Sequence, residues 1–226
     1  MSGKITFISV LLILTFIAER PKVFVIGDSI SIHYGPYLAQ YLGADFQYAR
    51  KGDNGEALQN LDVPVGANGG DSRMVLDYLK ELLKDNQFKS DYILLNCGLH
   101  DIKTKPETNE KQVEIKEFRS NLASIFRLIN EADIKPIFIT TTSVVDSIHN
   151  NKMPHFFRYQ EDVAAYNQVA KDLCAKLQIP LIDLNTFTQN LGGPEIYSDH
   201  VHFKEEIRAL QAAFITGRLR SYVQDH

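Results

Sequence analysis

Apolar positions along this chain fall into short unbroken runs that alternate with stretches of helical spacing. Lys22 to Ile26 is such a run, ends at Gly27, and predicts a buried strand. Pro36 to Leu42 predicts a short helix with its proline in the first turn, and Ala44 to Ala49 a second strand. Residues 51–70 hold five glycines among several Asn and Asp, which predicts a long irregular loop. Loops of that length inside a compact domain usually serve function. From Ser72 onward Val75, Leu76, Leu79, Leu82 and Leu83 recur at helical spacing, and Asp91 to Asn96 predicts the next strand. A helix over Val113 to Ile129 aligns Phe118, Leu122, Ile125, Phe126 and Ile129 on one face. Pro136 to Thr140 and Ile179 to Leu184 predict two more strands, with a helix at Asp162 to Leu177 between them and another at Glu205 to Val223. Strands and helices in alternation predict an α/β fold, a parallel sheet with helices on both faces. Such sheets place their ligands beyond the carboxyl ends of the strands.

The chain has 226 residues, 44% of them hydrophobic, which suits one domain with a sizeable core. Its formal charge of -4 is spread evenly, and the charged stretch Lys111 to Arg119 mixes signs. Nothing resembles the basic stripe of a nucleic-acid partner. At the start, Lys4 precedes a run of 14 residues, Ile5 to Ala18, interrupted only by Thr6, Ser9 and Thr15. That length suits a signal-peptide core and falls short of the roughly 20 residues needed to span a bilayer. Residues 1–18 are therefore expected to be a signal peptide and 19–226 the mature domain, secreted or periplasmic, with no stable membrane span after cleavage. Cys97 and Cys174 make no disulfide framework in a chain this long, and both fall in runs expected to be buried.

Gly27-Asp28-Ser29 directly follows the first predicted strand, where a serine can project into the site with its own N–H facing the same space. A second copy, Gly70-Asp71-Ser72, follows the glycine-rich loop instead, so Ser72 is expected to cap the helix that begins there. A nucleophilic serine needs a base, and the base a group that fixes its tautomer. Asp199-His200-Val201-His202 offers both within one turn, just before the last helix. Asp146-Ser147-Ile148-His149 has the same spacing but precedes a polar Asn-Asn-Lys stretch, which predicts a surface loop. A metal held by His200, His202, His100 and Asp101 is a competing reading, weakened by the absence of helical or cysteine ligand spacing. Donors for an oxyanion are expected from Gly69-Gly70, at a helix start, and from the Asn96-Cys97-Gly98-Leu99-His100-Asp101 segment after the third strand.

These blocks resemble the SGNH (GDSL-like) hydrolase family, which carries Gly-Asp-Ser, a glycine block, Gly-x-Asn-Asp and a late Asp-x-x-His in that order. Here they look like Gly27-Asp28-Ser29, Asn68-Gly69-Gly70-Asp71-Ser72, Gly98-Leu99-His100-Asp101 and Asp199-His200-Val201-His202. The resemblance implies a three-layer α/β/α sandwich with a flavodoxin-like parallel sheet, no cofactor and no metal. It implies acyl-ester hydrolysis with Ser29, Asp199 and His202 as catalytic residues. The oxyanion hole would comprise the Ser29 N–H, the Gly70 N–H and the side chain of His100. One departure is that His100 stands where the family has asparagine; a neutral imidazole donates only one proton. The Gly-Leu-His-Asp version is similar to a subgroup of exported bacterial members associated with glycan breakdown. The expected partner is thus a small-molecule or glycan ester, with O-acetyl groups on carbohydrate foremost. A noncatalytic glycan-binding protein on this fold, or an acyltransferase using the same three residues, would share the pattern. The chain has no Trp, so sugar stacking would fall to Tyr34, Phe156, Phe157 or Tyr197 in the expected edge loops.

Overall fold

The computed structural model describes residues 19–52 and 55–224, so the expected leader lies outside the described residues. The chain begins with β1 (Lys22–Ile26), α1 (Ser29–Leu42), β2 (Gln47–Arg50), the one-turn α2 (Glu56–Gln59) and α3 (Ser72–Leu82). It continues with β3 (Tyr92–Leu95), α4 (Ile115–Glu131), β4 (Lys135–Ile139), α5 (Asp146–Lys152) and α6 (Gln160–Leu177). β5 (Leu181–Ile182), α7 (Leu184–Gln189) and α8 (Glu205–Gln224) complete it. The five strands are parallel in the order β2-β1-β3-β4-β5. That is the flavodoxin-like order, in which the direction of strand addition reverses between β1 and β3.

The central strands read as unbroken apolar runs because both their faces are covered. Val25 lies beside Leu94 and Ile26 beside Leu95, while Leu95 lies beside Phe138 on the other side. All five are buried. α1 packs on α8, which also meets α7; α3 packs on α4, and α4 on α6. Those two groups make the outer layers of the sandwich.

Several boundaries differ from the sequence expectation. α1 begins at Ser29, seven residues before Pro36, because Asp28 caps it by accepting from the Ile30 amide at 2.9 Å. Ile30, Tyr34, Leu38 and Leu42 then form a buried stripe at four-residue spacing. Pro36 is exposed on the outer side of the helix. β2 starts at Gln47 rather than Ala44, and β5 shrinks to two residues because Asp183 caps α7 by accepting from the Thr186 amide at 3.2 Å. The stretch expected as a surface loop, 146–152, is helix α5 with His149 fully buried.

Candidate active site

β1 and β3 end side by side, and the Asn96 amide extends their ladder by donating to Ile26 O at 2.9 Å. Gly27 then turns the chain into α1; a Cβ there would stand 2.7 Å from that of Ser31. Ser29 is the first residue of the helix, a position whose amide has no carbonyl to bond within it. Its hydroxyl meets a histidine that arrives from the far end of the chain. His202 Nε2 lies 2.8 Å from Ser29 Oγ, and His202 Nδ1 lies 2.8 Å from Asp199 Oδ2.

Asp199 organises its own turn. Its Oδ1 accepts from the amides of Val201 and His202, both at 2.8 Å, while Oδ2 faces the imidazole. Burial pushes this carboxyl up, but the bonds from the His202 ring and the two amides outweigh it and hold the group well below the usual carboxylate range. An ionised Asp199 assigns the proton to Nδ1 and leaves Nε2 to accept from the serine hydroxyl. The edge of His33 packs on the His202 ring with 4.9 Å between centroids. Ser29 and His202 are each only 2% exposed.

The second Gly-Asp-Ser copy has the same local geometry and a different neighbourhood. Asp71, rather than Ser72, is the cap of α3, accepting from the Met74 amide at 3.0 Å. Ser72 follows as the first helical residue, and its Oγ accepts from Asn121 Nδ2 at 2.9 Å. Its amide donates to both oxygens of Asp101 at 3.0 and 3.1 Å. Burial raises the Asp101 carboxyl to about 7 against those bonds. This carboxylate ties the block after β3 to the start of α3. Among the described residues no histidine is bonded to Ser72.

The expected oxyanion donors are placed as follows. Gly70 has φ +72°, and its amide donates to Asn68 Oδ1 at 3.0 Å, so in this structure that donor already has an acceptor. Gly69 docks the same loop on β1, donating to Gly27 O at 2.8 Å. His100 is buried, and burial drives its imidazole well below the ordinary histidine range, so it is neutral with one N–H. Its Nδ1 is buried without a hydrogen-bond partner.

The four residues of the metal reading do not converge. His202 engages Ser29 and Asp199, Asp101 engages Ser72, and His200 Nδ1 lies 2.9 Å from His149 Nδ1. Among the described residues no group of three or more His, Cys, Asp or Glu is arranged to hold a metal ion. Cys97 is buried and its thiol is raised well above its ordinary range by burial, and Cys174 likewise to about 12. Of the aromatic candidates, Tyr34 is core, and Tyr197 is bonded to Ser143 and packed on Phe203. Phe157 packs edge-on against Tyr159. Phe156 lies under two cations, with Lys103 Nζ 4.5 Å and Arg158 Cζ 4.9 Å from its ring centre.

The family model of the GDSL-like lipase/acylhydrolases matches residues 25–210, which run from β1 through the Asp199–His202 turn into α8. The chain belongs to the GDSL-like lipase/acylhydrolase family. Solved structures agree on the fold of this GDSL-like chain. A lipase/acylhydrolase from Enterococcus faecalis superposes with a TM-score of 0.67 at 18% identity, over 90% of this chain and 97% of that one. An acetyl xylan esterase gives 0.64 at 17%, over 89% and 99%. A carbohydrate acetylesterase from Sinorhizobium meliloti gives 0.63 at 14%, over 90% and 100%. No curated protein matches the sequence.

Around this GDSL-like site, Asp62 and Arg158 drew no notice in the sequence, Asn68 was named without a role, and His149 was expected on a surface loop. Asn68 could have been found, since Asn-Gly-Gly is an Asx-turn pattern. Asp62, His149 and Arg158 reach the site only through tertiary packing, from a loop, a short helix without apolar periodicity, and the segment leading into α6.

Proposed function

We propose that this protein is a serine esterase that hydrolyses short acyl esters, O-acetyl groups on carbohydrate foremost, through an acyl-enzyme on Ser29. The observation that carries the reading is the position of His202, 2.8 Å from both Ser29 Oγ and Asp199 Oδ2. In the first step Ser29 Oγ attacks the ester carbonyl while His202 Nε2 takes the hydroxyl proton. Asp199 holds the imidazole in the accepting tautomer and balances the imidazolium that forms. His202 then returns the proton to the departing alcohol, leaving the acyl group on Ser29. Water attacks the acyl-enzyme with His202 again as base, and acid and free serine result.

The charge on the tetrahedral oxygen requires donors aimed at it. The Ser29 amide, unpaired within α1, and the neutral His100 fit that role. The Gly70 amide can join them only by giving up Asn68 Oδ1, so the third donor comes with a small rearrangement of the Asn68–Gly70 turn. Carbohydrate as the alcohol rests on the esterases named among the similar folds and on the expected export leader. The test is acetate release from acetylated polysaccharides beside a nitrophenyl ester series of increasing acyl length. Turnover is expected to be greatest for acetyl and to disappear in Ser29→Ala; absence of ester hydrolysis on every substrate overturns the reading.

A further inference from the structure

Arg158 is 1% exposed, yet its guanidinium is poorly paired. Nε donates to Leu99 O at 2.7 Å, while Nη1 is buried without a hydrogen-bond partner and faces Asp62 Oδ1 across 4.0 Å. A guanidinium has five donors, and leaving one unmet in the interior is unfavourable. Two more basic groups meet the same residue. Lys103 Nζ donates to the main-chain carbonyl of Asp62 at 2.9 Å, and His200 Nε2 lies 3.5 Å from the carboxylate oxygen Oδ2. This cluster borders the triad: Leu99 precedes His100 in the chain, and the rings of His200 and His202 are 6.1 Å apart. The loop bearing Asp62 is lightly seated. Val63 and Val65 on it are 43 and 42% exposed, as is Leu58 of the preceding α2 at 64%, so little apolar burial holds it down.

We infer that Arg158, Lys103 and His200 form a subsite for a carboxylate on the substrate, with Asp62 occupying it when the loop is closed. The substrate class is an acyl ester whose alcohol part carries a carboxylate, such as an O-acetylated hexuronic acid. A carboxylate can take two parallel bonds from a guanidinium, a geometry that Asp62 at 4.0 Å does not reach. Burial and the neighbouring Arg158 charge also lower Lys103 to about 8, the mark of a cation short of counter-charge. The inference rests on the esterase reading for its catalytic consequence, and on the cluster itself for binding.

Two substrates that differ only in charge provide the test: O-acetylated glucuronate and the corresponding glucuronamide. The native protein is expected to favour the acid by roughly 10–100-fold in kcat/KM, the scale of one or two charge-assisted hydrogen bonds. The preference should shrink in Arg158→Gln and in Lys103→Met, the latter guarding against misfolding of the former, and grow in Asp62→Asn. Equal turnover of acid and amide, with the esterase active, overturns the subsite and leaves Arg158 as an anchor for the loop. If neither ester is cleaved, titration of glucuronate and glucuronamide into Ser29→Ala by calorimetry decides it: tighter binding of the acid upholds the subsite, equal binding overturns it.

Discussion

Ser29 and Ser72 occupy the same local position, one residue after an aspartate cap, and differ in what the fold brings to their hydroxyls and amides. Ser29→Ala should therefore lower ester turnover by several orders of magnitude, whereas Ser72→Ala should keep most of it in the same assay. His202→Ala and Asp199→Asn should both be severely impaired; in the latter the amide no longer selects the Nδ1–H tautomer. His100 is the finer test. His100→Asn should retain substantial activity because an amide supplies the same hydrogen bond, and His100→Ala should fall roughly 10²–10³-fold, mainly in kcat. Alanine and asparagine behaving alike would remove His100 from the hole. At this scale the meeting of Ser29, Asp199 and His202 was legible in the sequence, because each sits in a motif at a strand or helix end, and the variants above test the roles proposed for them. Arg158 could not be, since a lone arginine between aromatics, Phe157 and Tyr159, carries no spacing that separates it from a surface cation.

The elements that carry the site were legible wherever apolar spacing was long. α3, α4 and α6 follow from their stripes, and β1 was found to the residue. α5 was not, because seven mostly polar residues have no stripe; side-chain bonds hold it instead. Asp146 Oδ1 accepts from the Gln160 amide at 2.8 Å and Asn150 Oδ1 from the Arg158 amide at 2.9 Å. His149 is consequently a packing residue: His149→Ala should leave Ser29, Asp199 and His202 in place but destabilise the fold by about 1–3 kcal/mol, through an emptied site and an orphaned His200 ring. Denaturant melts would show it, and an unchanged midpoint would return His149 to the surface. Gly70 is held differently. Its φ of +72° disfavours any side chain, and a Cβ would stand 2.9 Å from Pro64 Cβ and 2.5 Å from Met74 Sδ. Gly70→Ala should cost more than the roughly 1–2 kcal/mol of the backbone term alone, and a melt shifted by less would mean that the turn relaxes.

For the whole molecule, buried histidines tie stability to pH. Burial lowers His33 to about 4 and His149 to about 3, so the folded protein leaves both neutral where the unfolded chain, with its ordinary value of 6.5, takes up protons. The unfolded state thus binds more protons across that interval, and the contribution of each histidine rises with pH to 6.5 and is lost as pH falls below it. Asp101, raised to about 7, acts in the opposite sense between its ordinary 3.8 and 7. His149→Gln isolates one of these terms: its unfolding free energy should depend on pH less steeply than the native protein's below 6.5, and parallel slopes would contradict the buried neutral imidazole. The topology was legible as strand–helix alternation, yet the contacts that seat Asp62 against His200 and Gly69 against Gly27 were not, because glycine-rich polar sequence specifies no partner. The central claim is that one serine, activated from the far end of the chain, carries the chemistry. A fluorophosphonate ester, which forms a stable adduct with an activated serine, tests it most directly when followed by mass spectrometry of the digested protein. The account predicts a single adduct on the peptide containing Ser29, abolished in Ser29→Ala and strongly slowed in His202→Ala. An adduct on Ser72, or labelling of Ser29 that proceeds equally fast without His202, would contradict it.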